Sequence, residues 1–570
     1  MKSKILIIFS LWISIFTASA KSLNPSDFVY PVKDVARLYS ANFGELRPDH
    51  FHAGIDIKTD GVEGKKVVAV ADGHISRISL SPYGYGLALY VAHPNGTTSV
   101  YGHLSKFMDP VAEYVVAEQY RTKQHSVNLY CNSTKFVVKQ GDVIALSGNS
   151  GGSFGPHLHF EIRDSATQDP LNVVAQGVIT PRDTIEPLIM RLHYIEIDSL
   201  QGIARQAVPR SYEVVNDGAG YSIVGGQTVA VGRQGYFVLE ASDRRNDVEN
   251  TFGIYRLAAK VDEQKIFEYQ MDRFAYSNTR YCNALSYYPL MINSRNEVLR
   301  LASAEVTDNS HYTTLVNRGL IKTNAGQIRA VNIEVADDVG NISSLNFQIR
   351  GKAQSDIFVA QEVDPKFIIH SKRTFAYNAD GIRVSVPASV LYESTIFSCQ
   401  ERQTDDSTIL SKVYKVLDAS VPLHRAMTIS IDAEVPFDLR QKVGIVRLSQ
   451  SGQQSFIAAS YSGGVVTATS RNAGEFYVVA DTVPPTMVLG ITEGSQQANS
   501  SYFTCKIADD LSGIKSYSAT LNGQWIALNL DKGVLRHDFR SKPTGAQHTL
   551  VIIATDGVGN QTKITRNFLR

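Results

Sequence analysis

"GPHLHFEIRD", residues 155–164, sets two histidines one residue apart within an apolar run. In an extended chain, side chains alternate between faces with period two. Leu158, Phe160 and Ile162 then share one face, and His157, His159 and Glu161 share the other. The apolar set has the pattern of the core side of a half-buried strand. A helix would place the imidazoles on different faces, and the Gly155-Pro156 turn signal opposes one. Read alone, the stretch allows two meanings. The imidazoles serve one site, or they are two polar-face residues with no joint task.

The flanking sequence continues the strand reading. "KKVVAVADGHISRISLS" reads as two strands about Asp72-Gly73. "GLALYVAHPNGTTSVYGHL" reads as two strands about Asn95-Gly96, the strongest short hairpin signal. "VVKQGDVIALSGNSGG" reads as a strand pair turning at Gly141-Asp142. "PVAEYVVAEQYRTKQ" has helical spacing and predicts a short helix on an insertion at about 106–139.

The chain has 570 residues, enough for about three to five domains. Hydrophobic content of 43% and charged content of 19% fit globular folds. Its 56 Lys+Arg and 55 Asp+Glu nearly cancel, so no nucleic-acid partner is expected. Residues 1–20, MKSKILIIFSLWISIFTASA, join a basic head, an apolar run and a small-residue Ala-Ser-Ala end. This predicts a signal peptide cut after Ala20. The residue after the cut is Lys21 and not a cysteine, so no lipid-anchored N-terminus is expected, and no later stretch has the roughly 20 apolar residues of a membrane helix. An exported, soluble protein is expected, periplasmic or extracellular. Cys131, Cys282, Cys399 and Cys505 are scattered and show no C-x-x-C spacing, so neither a thiolate zinc knuckle nor a disulfide framework is expected.

A repeat divides the rest. Asp183-Thr184-Ile185-Glu186-Pro187 returns as Asp481-Thr482-Val483-Pro484-Pro485. "YFVLEASD" (236–243) returns as "YFTCKIAD" (502–509), and "VADDVGN" (335–341) as "ATDGVGN" (554–560). The first copy is longer by roughly 45 residues between its second and third marks, as an insertion would make it. The expected organisation is mainly β. A β-sheet domain at 21–182 precedes three β-sandwich modules at 183–352, 353–482 and 483–570. The aspartates beside the Val-Gly-Asn turns suit either Asx-turn chemistry or calcium.

Eight of the 14 histidines fall in the first β region: His50, His52, His74, His93, His103, His125, His157 and His159. Three patterns stand out there: "HFHAGID", "YGHL" and "GPHLHFE". Imidazole and carboxylate are good zinc ligands, and a catalytic zinc takes three protein ligands with one open position. His52, Asp56 and one histidine of the H-L-H pair make such a set. The remaining imidazoles are free to move protons or stabilise charge. No H-E-x-x-H helix is present to supply a glutamate base.

Together, R-P-D-H-F-H-A-G-I-D, Y-G-H-L and S-G-N-S-G-G-S-F-G-P-H-L-H-F-E closely resemble the lysostaphin-like (LytM-type, β-lytic) zinc metallopeptidases over about residues 42–173. That resemblance implies an antiparallel β-sheet peptidase domain with zinc on His52, Asp56 and His159. It implies His157 and His103 as the catalytic pair. The substrate it implies is bacterial cell-wall peptidoglycan, cut at peptide bonds in its cross-links. All five positions are filled.

Other features read more plainly. His50 is expected to be a packing or groove residue, His74 and His93 surface residues, and His125 a residue without an evident partner. Glu161 either orients a ligand or is solvated or ion-paired. The glycine-rich loop 148–156 lacks a G-K-[ST] ending and suits close approach of an extended peptide. "VKQGDVIALSGN" resembles carrier-domain hairpins but lacks the carrier lysine. The alternative to an enzyme is a non-catalytic wall-binding or hydrolase-activating protein, with the C-terminal modules binding wall or a protein partner.

Overall fold

The computed structural model describes residues 22–218, 220–226, 228–353, 363–497, 499–540 and 543–570, so the leader expected at 1–20 lies outside the described residues. The chain is mainly β. Its first sheet comprises β1 (Tyr39–Ala41), β2 (Ile55–Lys58), β3 (Lys66–Val68), β4 (Gly73–Leu80), β5 (Leu87–Ala92), β6 (Thr97–Phe107), β7 (Val127–Tyr130), β8 (Val137–Val138), β9 (Val143–Ser147), β10 (His157–Asp164) and β11 (Pro170–Leu171). The main path runs β1-β2-β10-β6-β5-β4-β7. Its strand pairs are antiparallel.

β10 follows the alternation of its sequence. Leu158, Phe160 and Ile162 are completely buried, in one core with Ile57, Ile78, Leu89 and Tyr101. Asn95-Gly96 joins β5 and β6 as a hairpin. The other two expected strand pairs differ. β3 pairs with β9 rather than β4, and β8 pairs with β4. Val67, Val68, Ala69 and Val70 are all buried, so this segment crosses the core instead of folding back in the sheet plane. A helix, α1 (Val111–Thr122), occupies the insertion and buries Val111, Val115 and Gln119.

Beyond residue 187, a 14-stranded sheet extends from Leu188–Leu200 to Ile342–Gly351. It folds over its own core, which includes Leu192, Phe237, Leu257 and Ile333. This is the β-rich module expected after residue 183, and its layers are joined. Tyr221–Ile223 and Val229–Val231 both pair in parallel with Ile342–Gly351 and stitch the layers into one sheet. Two five-stranded sheets follow, facing each other across a core that includes Val384, Ile429, Ile445 and Phe476. Two four-stranded sheets then enclose Cys505, Leu535, Leu550 and Ile552. All four cysteines are free thiols.

These parts pack against the first sheet and its loops on two sides. Phe43 and Phe51, from the loop before β2, pack on Phe274, with ring centroids 5.5 and 5.4 Å away. Asn42 exchanges two 2.9 Å hydrogen bonds with the backbone of Gly253. On the other side, His125 stacks on Tyr517 (4.7 Å) and Trp525 (5.0 Å) and accepts from Leu528 N at 3.0 Å. This corrects the expectation that His125 lacks a partner. His93 is also not a surface residue. It is buried, donating from Nδ1 to Asp72 O at 2.9 Å, with Nε2 2.8 Å from Ser99 Oγ.

Candidate metal and catalytic site

The polar face of β10 meets β2 in register. His159 lies directly opposite Asp56, and on its other side opposite Gly102 of β6. Gly54 lets the loop before β2 cross β10, since a Cβ there would lie 2.3 Å from Phe160 O. That crossing carries His52 to the same point. His52, Asp56 and His159 each offer one ligand atom, all within 4.8 Å of one another. His52 Nε2 is 3.1 Å from both Asp56 Oδ1 and His159 Nδ1, and His159 Nδ1 is 3.0 Å from Asp56 Oδ1.

The outer nitrogens define what the inner ones present. His52 Nδ1 faces Asn42 O at 2.7 Å, where only an N–H is compatible. His159 Nε2 donates to Glu161 Oε1 at 2.8 Å. In the neutral rings, both inner nitrogens therefore carry lone pairs directed at a carboxylate oxygen. Three such donors crowd together favourably only around a cation or a shared proton. Ligands about 2.0–2.1 Å from a tetrahedral zinc stand roughly 3.3 Å apart, close to this spacing. The donor set thus fits the group. Without a metal, burial opposes the charge on His159, but hydrogen bonds to Asp56 and Glu161 outweigh it and hold the imidazole up at about 9. Burial likewise works against the Asp56 carboxylate, and the surrounding imidazoles hold it well below the usual range.

Glu161 is fully buried and accepts four donors. They are His159 Nε2, Tyr85 Oη at 2.5 Å, Arg163 Nε at 2.6 Å and Tyr276 Oη at 2.8 Å. These occupy the roughly four lone-pair sites of a carboxylate. Glu161 therefore orients His159, and the solvated reading is excluded. Such carboxylate–histidine pairs set ring orientation and tautomer at metal sites.

His157 and His103 stand beside this trio, with ring centroids 4.8 Å apart. His157 Nδ1 donates to Gly155 O and His103 Nδ1 to Ser150 O, each at 2.8 Å, leaving Nε2 as the free nitrogen of both neutral rings. His157 Nε2 lies 3.5 Å from Asp56 Oδ1. His103 sits in the left-handed region at φ 57°, where β6 sets Gly102 and His103 against one residue of β5. This bulge turns the imidazole toward the site, at a backbone cost of roughly 1–3 kcal/mol. Burial, aided by His159 and His157, pushes His103 down to about 3, so it is neutral at physiological pH.

A groove of about 1240 Å³ runs over the site, and His50 lies on it. Phe154, fully exposed on the 148–156 loop, stands at its rim, with Tyr276 and Thr279 on the wall. Sequence reading missed Tyr85, Arg163 and Tyr276. The first two lie close to flagged motifs. Tyr276 has no local signal beyond lying in the extra length of the first repeat copy.

Residues 50–120 match Peptidase family M23, and residues 366–481 match the Zu5-like domain. An "Uncharacterized metalloprotease" of Haemophilus influenzae is 33% identical over 135 residues, 24% of this chain and 22% of that protein. "DD-carboxypeptidase/endopeptidase Mpg" of Neisseria meningitidis serogroup B is 32% identical over 133 residues, 23% of this chain and 24% of that protein. "Murein hydrolase activator EnvC" of Escherichia coli is 35% identical over 103 residues, 18% of each chain. The chain thus spans less than a quarter of the length of each of these relatives. It carries a peptidase family M23 domain, of the LytM type.

Proposed function

We propose that the protein is an exported zinc metalloendopeptidase that hydrolyses peptide bonds in bacterial cell-wall peptidoglycan. The observation that carries this reading is the meeting of His52, Asp56 and His159, with the outer nitrogens of both imidazoles already committed to fixed acceptors. These three would hold the metal. A bound zinc ion supplies Lewis acidity toward water and the scissile carbonyl.

The remaining steps belong to the chain. The groove receives an extended peptide, and the glycine-rich 148–156 loop lets it lie close. His157, held by Gly155 O, has its free Nε2 placed to take a proton from water. The proton that His157 takes from water is the one returned to the leaving nitrogen, and His103, neutral, held by Ser150 O and beside His157, is the second carrier on that path. The peptidoglycan substrate rests on the family and on the names of the relatives. The exported location rests on the basic, apolar and small-residue leader pattern at 1–20.

The likeness to a murein hydrolase activator favours a second reading, a non-catalytic regulator. The five filled positions favour the enzyme. Zymography on purified wall material decides between them. The enzyme lyses wall, stops on chelation and recovers with zinc, whereas lysis indifferent to chelator, or none at all, rejects it. Mass spectrometry of the released muropeptides then identifies the bond cut.

A further inference from the structure

Asp243 lies next to the end of the strand Gln234–Arg244 and is completely buried, yet neither of its carboxylate oxygens has a hydrogen-bond partner among the described residues. No lysine, arginine or histidine nitrogen among the described residues forms an ion pair with it. The neighbouring Arg245 is committed elsewhere and donates to Asp338 Oδ1 at 2.5 Å. Its approach to Asp183 Oδ2, at 3.8 Å, is too long for a hydrogen bond. An isolated buried carboxylate is expensive unless it is paired or coordinates a metal.

Asp243 is not alone. It, Asp183 and Asp337 each present an oxygen within 4.8 Å of the others. Asp183 Oδ1 accepts from Ile185 N at 3.0 Å, and its Oδ2 has no hydrogen-bond partner. Asp337 accepts from the backbone of Val339, Gly340 and Asn341 and from Asn341 Nδ2. Oxygens on opposite sides of a calcium ion, at about 2.4 Å each, stand about 4.8 Å apart. All-oxygen donors with this carboxylate charge match calcium rather than zinc.

The arrangement recurs. In the second repeat copy Asp481, Asp509 and Asp556 converge in the same way. Asp481 accepts from Val483 N as Asp183 does from Ile185 N, and Asp556 gathers Val558, Gly559 and Asn560 as Asp337 gathers its turn. Asp509 Oδ1 is again without a hydrogen-bond partner. The two copies have diverged widely in sequence and length, yet both retain the three carboxylates.

We propose that Asp183, Asp243 and Asp337 bind a calcium ion. Asp183 belongs to the segment between the peptidase sheet and the strand Leu188–Leu200, while Asp243 lies in a strand of the 14-stranded sheet and Asp337 in the turn between its strands Ile328–Ala336 and Ile342–Gly351. The ion ties that connection to the sheet, and with it the segment that carries Tyr276 to the groove.

The test uses the full chain with zinc saturating and calcium as the probe. Equilibrium dialysis counts bound calcium for the parent, Asp243→Asn and Asp183→Asn, and thermal unfolding is followed with and without calcium. The parent is expected to bind calcium and melt higher with it. Each variant is expected to lose one equivalent, or to bind it at least tenfold more weakly. Asp243→Asn should melt no lower than the parent in calcium-free buffer, because neither Asp243 oxygen has a hydrogen bond to lose; this readout separates lost ligation from damaged folding. No uptake by the parent at millimolar calcium overturns the proposal. So does parent-like uptake by both variants.

Discussion

Tyr276 donates its hydroxyl to Glu161 Oε2 at 2.8 Å, across 115 positions of chain and from the short helical turn Tyr276–Tyr281 outside the first sheet. The carboxylate that orients His159 is therefore completed by a residue outside the first sheet. Tyr276→Phe keeps the ring and removes this donor. Partners of this kind affect metal affinity by roughly 10–100-fold, and one of four donors should sit at the low end, about tenfold. Competition with a chromophoric chelator measures it. An unchanged zinc affinity would show that Tyr276 only shapes the groove wall.

The imidazole roles separate by measuring metal and turnover together. His159→Ala should lose zinc and activity. His157→Ala and His103→Ala should keep one zinc per chain and lose roughly 10²–10⁴ in kcat, the usual weight of a proton-transferring group. Zinc lost equally from His157→Ala and His159→Ala would overturn the division of roles.

Much of this site was legible locally. Period-two alternation placed His157, His159 and Glu161 on one face of β10, and the three buried apolar residues between them confirm it. Asp56 needed only a strand, and His52 only a turn before it. What the sequence hid was long-range. Tyr276 reaches Glu161 from an irregular segment with no periodicity, and His125 finds its stack 392 positions away at Tyr517. His93 looked exposed because it precedes a hairpin turn. Its burial follows from Phe28, whose ring lies 6.2 Å away from a segment far upstream. Turn signals located the ends of β3, β8 and β9, while pairing was decided by which runs are buried on both sides.

Phe154 is a large apolar side chain left wholly in solvent at the groove rim. Its place on the 148–156 loop suits contact with a bound peptide. Phe154→Ala should raise KM several-fold, leave zinc content unchanged and leave melting unaltered, since no packing is lost. Steady-state kinetics on a defined cross-linked muropeptide checks it. An unaltered KM would remove the loop tip from substrate binding.

Glu297 links stability to pH. It accepts from Leu46 N at 2.8 Å and Ile254 N at 2.9 Å, bracing the loop that leads to His52. Burial raises its carboxyl to about 7, with those two hydrogen bonds acting the other way. In an unfolded chain it titrates near 4.3, roughly. A raised folded value favours the folded state fully below about pH 4.3, and that advantage is lost as pH rises toward 7. This group should therefore cost the fold about 4 kcal/mol between those limits, with no further change above. Urea unfolding at a series of pH values measures the slope. Glu297→Gln should flatten it while lowering stability throughout, because its amide must face one of the two N–H donors.

The contact between α1 and the C-terminal sheets should also respond to pH, with the opposite sign. Burial pushes His125 down to about 4, while its hydrogen bond to Tyr517 O acts the other way. The ring must stay neutral to accept from Leu528 N while stacked between Tyr517 and Trp525. A depressed folded value means the contact is complete above about pH 6.5, the value of a free imidazole, and is lost as pH falls toward 4. The same docked face places Asp531 Oδ1 3.2 Å from Gly151 N, on the loop beside the groove. Acidification should therefore free both the helix and that loop. Limited proteolysis between pH 7.5 and 4.5 should show new cleavage in the 481–485 connection at the acid end. His125→Ala should show that pattern already at pH 7.5. A digestion pattern independent of pH in the parent would mean that this histidine does not hold the contact.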